Sequence, residues 1–242
     1  IALWHSHGWY YNHDMDRWLW QRARLFQTVE DLSPMTFTIP YLIPMLENAG
    51  ANVFVPRERD LQVNEVVIDN DTHADSQNYI EESSNLFWET GEGVGFNPGN
   101  PPYPANFNPF LDGTYRSVVS DNEGSSMVHY IPDIPEKGDY GVYVSYNASE
   151  INVSDAHYTV YHSGGETEFE INQRIGGSTW IYLGSFNFDK GLNSESGKVV
   201  VSNKSKDTDK IVSTDAIRFG GGMGNVSRNG STSNMPKYTE GA

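Results

Sequence analysis

From Tyr140 to Phe219 apolar residues fall on alternate positions, and this period of two constrains the fold more than any other feature of the chain. Tyr140, Val142, Val144 and Tyr146 alternate with smaller residues, and Thr167, Phe169 and Ile171 alternate with Glu166, Glu168 and Glu170. Successive side chains of an extended backbone point to opposite faces, so this pattern marks half-buried antiparallel strands. Further strands are predicted over Thr179 to Leu183, Lys198 to Ser202 and Ile211 to Phe219, at the spacing of a β-sandwich.

Residues 1 to about 72 follow another pattern, in which short apolar strands at Ile1 to Trp4 and Asn52 to Val55 flank helical periodicity. Asp14 can cap a helix whose inner face is Met15, Leu19, Ala23, Phe26 and Val29. A second helix runs through Leu42, Ile43 and Leu46 and stops at Gly50, with Pro40 in its first turn and Pro44 bending it. A third, short helix is expected at Asn64 to Asp69. Residues 73 to 138 are polar and rich in glycine and proline, as in Gly91 to Gly95 and Asn100 to Pro104, and predict turns and extended segments. The expected fold class is therefore α/β plus all-β. An α/β layer occupies 1–75, an antiparallel, jelly-roll-like sandwich 76–222, and a linker opening at Gly220 to Gly224 occupies 223–242.

With 16 Lys and Arg against 32 Asp and Glu the net charge is −16, which argues against a nucleic-acid partner. The absence of cysteine excludes disulfides, thiolate nucleophiles and Cys-based metal sites, so any metal must use His, Asp or Glu. No run approaches the roughly 18 apolar residues of a membrane span. The chain opens on Ile1, and a natural start with an export signal is expected upstream.

The densest chemical cluster is Trp4-His5-Ser6-His7-Gly8-Trp9, at the C-terminal end of a predicted strand, where α/β folds place ligands. Glu30 is expected at a helix C-terminus, where the dipole opposes a carboxylate and favours a compensating cation. The glycine runs lack the Lys-Ser/Thr of a phosphate cradle. Asn-x-Ser sequences at Asn147, Asn152, Asn203, Asn225 and Asn229 read as turn chemistry. Among the aromatic residues that could stack on a sugar ring, Trp88 and Tyr103 lie in predicted loops, Tyr115 is also available, and Trp180 reads as a mid-strand core residue.

A strand ending in His-Gly, a Glu on the next helix, a helix ending Leu46-Glu47-Asn48-Ala49-Gly50-Ala51 and then Val53-Phe54-Val55-Pro56-Arg57-Glu58-Arg59-Asp60 together resemble the zinc-dependent N-acetylmuramoyl-L-alanine amidases, over residues 1 to about 71. The resemblance implies zinc held by His7 and Glu30, with His5 and His73 as weaker alternatives, and puts Arg57 and Asp60 at the family's Arg-x-x-Asp. Trp4-His5-Ser6 replaces the family's Asp-x-Gly, and Gly8-Trp9 its Gly-Gly. The third His ligand and the general-base Glu have no counterpart here, so the base is expected outside this chain. A zinc hydrolase needs three protein ligands and one open position, and two ligands make half a site.

Asp155 to Val160, Gly177 to Gly184 and Thr214 to Phe219 resemble the golvesin C-terminal-like domain, which also occurs in xanthan lyases. That resemblance implies a sandwich of the carbohydrate-binding type over about 76–222, in which the loop aromatics Trp88 and Tyr103 are the expected sugar contacts. The combined expectation is a fragment of an exported bacterial cell-wall hydrolase, amidase-like, interrupted by this sandwich. It would be periplasmic, cell-surface or secreted, and its partners would be peptidoglycan or extracellular polysaccharide and a second amidase half of the same parent chain. Alone it would bind zinc weakly and be inactive. The alternative is a non-catalytic polysaccharide-binding module of a xanthan-lyase-like extracellular protein. A lyase would need a basic cluster to neutralise a uronate, and this acidic chain shows none.

Overall fold

The computed structural model describes residues 1–5, 9–12, 17–22, 30, 34, 37–51, 53, 55, 62, 64–74, 76–100 and 107–221. The chain divides into two compact units, Ile1–Val63 with Gly222–Ala242, and Asn64–Gly221.

In the first unit β1 (Trp9–Asn12) and β2 (Arg17–Trp20) form an antiparallel hairpin with Trp9 opposite Trp20 and Asn12 opposite Arg17. The described residues thus form no parallel α/β layer. The predicted helix from Asp14 to Val29 is broken by β2, whose Arg-Trp-Leu-Trp composition carries strand propensity that outweighs a weak helical period. Ile1 to Trp4 forms no named strand, nor do Val53 and Val55. The second predicted helix is present: a π-helical turn, Thr38–Leu42, leads into α1 (Ile43–Asn48), with Pro44 in its first turn. Gly50 follows in the left-handed region at φ 86°, and Ala51 N–H donates to Leu46 O at 3.0 Å, closing the helix end.

The Asn64–Gly221 unit is built of antiparallel strands. They are β3 (Glu65–Asp69), β4 (Tyr79–Ser83), β5 (Glu89–Thr90), β6 (Arg116–Val119), β7 (Ser126–Tyr130), β8 (Asp133–Ile134) and β9 (Gly138–Val144). After them come β10 (Ala156–His162), β11 (Gly165–Ile171), β12 (Ile181–Phe188), β13 (Gly191–Leu192), β14 (Lys198–Ser202), β15 (Ile211–Thr214) and β16 (Ala216–Gly220). One sheet has the order β11-β10-β14-β7-β4 and a second the order β12-β9-β16-β3, while β15-β6-β5 and β13-β8 form smaller sheets. Val128, Tyr130, Tyr158, Val160, Val199 and Val201 of the five-stranded sheet share one buried core with Ile68, Val142, Val144, Phe188, Ile217 and Phe219 of the four-stranded sheet. The architecture is a β-sandwich.

Three expectations are corrected. The short helix at Asn64 to Asp69 is strand β3, because Val66, Val67 and Ile68 are β-branched and pair with β16. That strand opens the compact unit Asn64–Gly221. The stretch 73–138, read as turns and extended chain, contains β4 to β8. The predicted strand from Ile211 to Phe219 is two strands, interrupted at Asp215.

Candidate functional site

The turn that follows β3 sets the site. Asp69 ends the strand, and its Oδ2 accepts from Thr72 N at 3.1 Å and Thr72 Oγ1 at 3.2 Å, which closes a turn through Asn70 and Asp71. Asp71 accepts from Thr114 N at 2.6 Å and Thr114 Oγ1 at 2.5 Å, tying the turn to the segment before β6. Asn70 Nδ2 donates to Thr114 Oγ1 at 3.0 Å and to Asp71 Oδ1 at 3.2 Å. Gly113 permits this approach: a Cβ there would lie 2.1 Å from Phe96 O and 2.7 Å from Asp71 Oδ2.

Asn70, Asp71 and Thr114 line a cleft of about 600 Å³ together with Tyr79 and Glu81 of β4, Thr90 of β5 and Arg116 of β6. Arg116 grips Glu81 with two bonds, Nε to Oε1 at 2.6 Å and Nη2 to Oε2 at 3.0 Å. It also donates to Thr90 Oγ1 and the Trp88 carbonyl, each at 2.8 Å. Tyr79 donates its hydroxyl to Glu81 Oε1 at 2.7 Å. Burial, and then the adjacent Glu81 charge, push the Tyr79 phenol far above its ordinary value, and the bond to Glu81 raises Arg116. Tyr79 is therefore a fixed hydroxyl donor and not a base, and Arg116 is permanently charged. The arrangement offers oriented acceptors, hydroxyls and one guanidinium, which is hydrogen-bonding chemistry.

The sequence-predicted site residues are distributed otherwise. His7 and Tyr103 lie outside the described residues. Glu30 is exposed, 3.7 Å from the Arg22 guanidinium. His5 is buried. His73 stands in the turn after β3, its Nδ1 3.3 Å from Asp69 N and 2.9 Å from Thr72 Oγ1, and burial lowers its pKa. Among the described residues no three His, Cys, Asp or Glu side chains are arranged to hold a metal ion.

The two tryptophans exchange places. Trp88, expected as an exposed loop ring, is only 5% exposed and belongs to the sandwich core. Its neighbours follow a period of two into β5, with Phe87 outward and Leu86 and Trp88 inward, a strand signal hidden in polar text. Trp180, expected mid-strand, precedes β12 and is half-buried, packed 4.9 Å from Phe96 and 5.3 Å from Phe110 between ring centroids.

Asp215 and Arg218 are both buried. Asp215 accepts from Phe96 N at 2.9 Å and Ser145 Oγ at 3.0 Å, and burial pushes its pKa up to about 7. Arg218 lies 4.5 Å over the Tyr143 ring and donates to Gly220 O at 2.7 Å. Asn152 and Asn203, two of the Asn-x-Ser positions, are buried amides that tie loops, for example Asn203 Nδ2 to Val119 O at 3.0 Å. Sequence reasoning missed the cleft residues. One signal was available, since Arg116 is the only arginine between Arg59 and Arg174 in an acidic stretch.

Residues 106–221 match the family model of the Golvesin C-terminal domain. A xanthan lyase of Bacillus sp. (strain GL1) is 32% identical over 99 residues, which are 40% of this chain and 10% of that protein. The chain thus spans about a tenth of the length of this curated relative. Among solved structures, a Paenibacillus xanthan lyase superimposes with a TM-score of 0.48 at 23% identity, covering 65% of this chain and 13% of that one. A family 35 carbohydrate-binding module of Clostridium thermocellum does so with a TM-score of 0.40 at 14% identity, covering 64% and 98%.

Proposed function

We propose, starting from the match of residues 106–221 to the Golvesin C-terminal domain, that the Asn64–Gly221 unit is a non-catalytic polysaccharide-binding module of an extracellular polysaccharide-processing protein. The observation that carries this reading is the cleft between the β3 turn and Arg116, with its fixed carboxylates, hydroxyls and amide. A sugar hydroxyl both donates and accepts, so it is best met where acceptors and donors alternate, as Asp71, Asn70, Thr114, Glu81 and Arg116 do here. The sequence relation to a xanthan lyase supports the same reading, and among the described residues no helix is long and apolar enough to cross a membrane. A zinc amidase activity has no support in the described residues, which supply neither the implied layer nor a ligand set.

The cleft's charge gives the ligand class. Arg116 is neutralised by Glu81, Asp71 adds a further carboxylate, and the chain carries −16. Neutral glycans are favoured over uronate polymers, which this field repels. Affinity electrophoresis of the full chain in gels containing neutral or uronate polysaccharides tests this. Retardation by a neutral polymer, abolished in Arg116→Ala and Asp71→Asn while circular dichroism stays native, is expected. Equal retardation of both variants and the parent chain would remove the cleft from the reading.

A further inference from the structure

A second cluster of oxygens lies behind the cleft, where β3 ends and β16 begins. Ala216 pairs with Asp69 in the register of these strands, which places Asp215 opposite Asn70 one step further. Asp69, Asn70 and Asp215 are 0%, 6% and 2% exposed. Asp69 and Asp215 each commit Oδ2, and Asn70 commits Nδ2, to the bonds described above, whereas Oδ1 of all three is buried without a hydrogen-bond partner. The orientation of the Asn70 amide is fixed by chemistry, since its Nδ2 faces the Asp71 carboxylate, which only accepts. Three neighbouring buried acceptors with no donor are costly, at about 1–3 kcal/mol for each unsatisfied group. Natural cores tolerate few of them.

We infer that this junction is a site for a hard divalent cation, calcium by preference, held by Oδ1 of Asp69, Asn70 and Asp215. Only a donor or a cation satisfies such a set, and two carboxylates that repel one another ask for positive charge: Asp69 and Asp71 both act on Asp215. Oxygen-only ligation that mixes carboxylates with an amide carbonyl suits calcium, which accepts irregular shells of 6–8 oxygens, better than magnesium, which demands a near-ideal octahedron. Two carboxylates and an amide also explain why no triad of charged ligands is found there. A bound ion would join the two strand ends of the four-stranded sheet, and the inference stands whether or not the cleft binds sugar.

Isothermal titration of calcium chloride into the EDTA-stripped full chain, with magnesium chloride as comparator, reads the site directly. One saturable calcium event per chain is expected, in the range of about 10⁻⁴–10⁻³ M known for extracellular calcium modules. It should weaken at least about tenfold in Asp215→Asn and in Asn70→Ala, since even an outer partner of a metal ligand is worth about 10–100-fold. It should persist in Glu150→Gln, an exposed acid outside the junction. Calcium should also raise the unfolding temperature of the parent chain and not of Asp215→Asn. If Asp215→Asn does not fold, Asn70→Ala carries the test. The inference is overturned by the absence of both heat and thermal shift, by binding that survives the junction substitutions, or by weak multi-site binding equal for the two metals, which is counterion condensation on an acidic chain.

Discussion

The two large sheets of the sandwich solve the same packing problem with different outer faces. In the five-stranded sheet burial alternates along β7, where Ser126, Val128 and Tyr130 are buried and Met127 is exposed, and edge strand β11 has no fully buried residue. In the four-stranded sheet every residue of β16 is buried, and so are Tyr140 to Val144 of β9. Polar groups therefore carry different weights in the two sheets. On the first, the exposed ones pair at little cost or gain, as with Lys198 over the Tyr161 ring at 5.3 Å. In and beside the second, Arg218 and Asp215 are removed from water, and each depends on partners that the fold must supply. Strands buried on both sides, as β16 and most of β9 are, concentrate stability, and also liability, in a few charged residues.

The largest effect should come from the buried guanidinium. Arg218→Ala removes the stacking on Tyr143 and leaves Glu65, 3.3 Å away, without its cation. A loss of about 3–5 kcal/mol is expected, read as a lowered urea midpoint. A loss below about 1 kcal/mol, the range of surface pairs, would erase the contrast between the sheets. Trp88→Ala should cost nearly as much, about 3–5 kcal/mol, because it empties a core position.

That second expectation reverses what the sequence suggests, and the reason is physical. Strands after residue 138 were legible because their alternation is long and uninterrupted: Lys198 to Ser202 is matched residue for residue by β14. Before residue 138 the strands are two to five residues long and separated by glycine and proline, so each offers too few periods to read. Trp88 sits beside the two-residue β5, and its burial comes from tertiary packing against the core. The cleft was illegible for a related reason. Asp71 and Thr114 are 43 residues apart, and Glu81 and Arg116 are 35 apart, so only strand pairing brings them together. The hydrophobic helix signal near residue 20 failed in the opposite way, a short apparent period yielding to an aromatic hairpin.

Trp180 should fall between the extremes. It is half-buried against Phe96 and Phe110, so Trp180→Ala loses part of a ring's burial and two aromatic contacts. About 1–2 kcal/mol is expected in the same denaturant assay, well short of Trp88→Ala. If the two tryptophans proved equal, the assignment of one to the core and the other to a loop would be wrong.

The smallest effect should come from the outer face of the five-stranded sheet, where His157 Nδ1 lies 2.6 Å from Glu168 Oε1. The bond to His157 holds the Glu168 carboxyl below its ordinary value, but 58% of that side chain is exposed, and solvent screens the pair. Glu168→Gln should therefore cost only about 0.2–1 kcal/mol at neutral pH. The sign of its pH dependence is fixed. A carboxyl lowered in the folded state adds stability above the unfolded value of 4.5, and that addition is lost as pH falls through the lowered folded value. Parent and variant should consequently unfold apart at pH 7 and converge in acid, and added salt should narrow the gap at pH 7. A gap that grows in acid, or one as large as that of Arg218→Ala, would show that the outer face is not solvated as the burial pattern implies, and with it the contrast between the two sheets would fail.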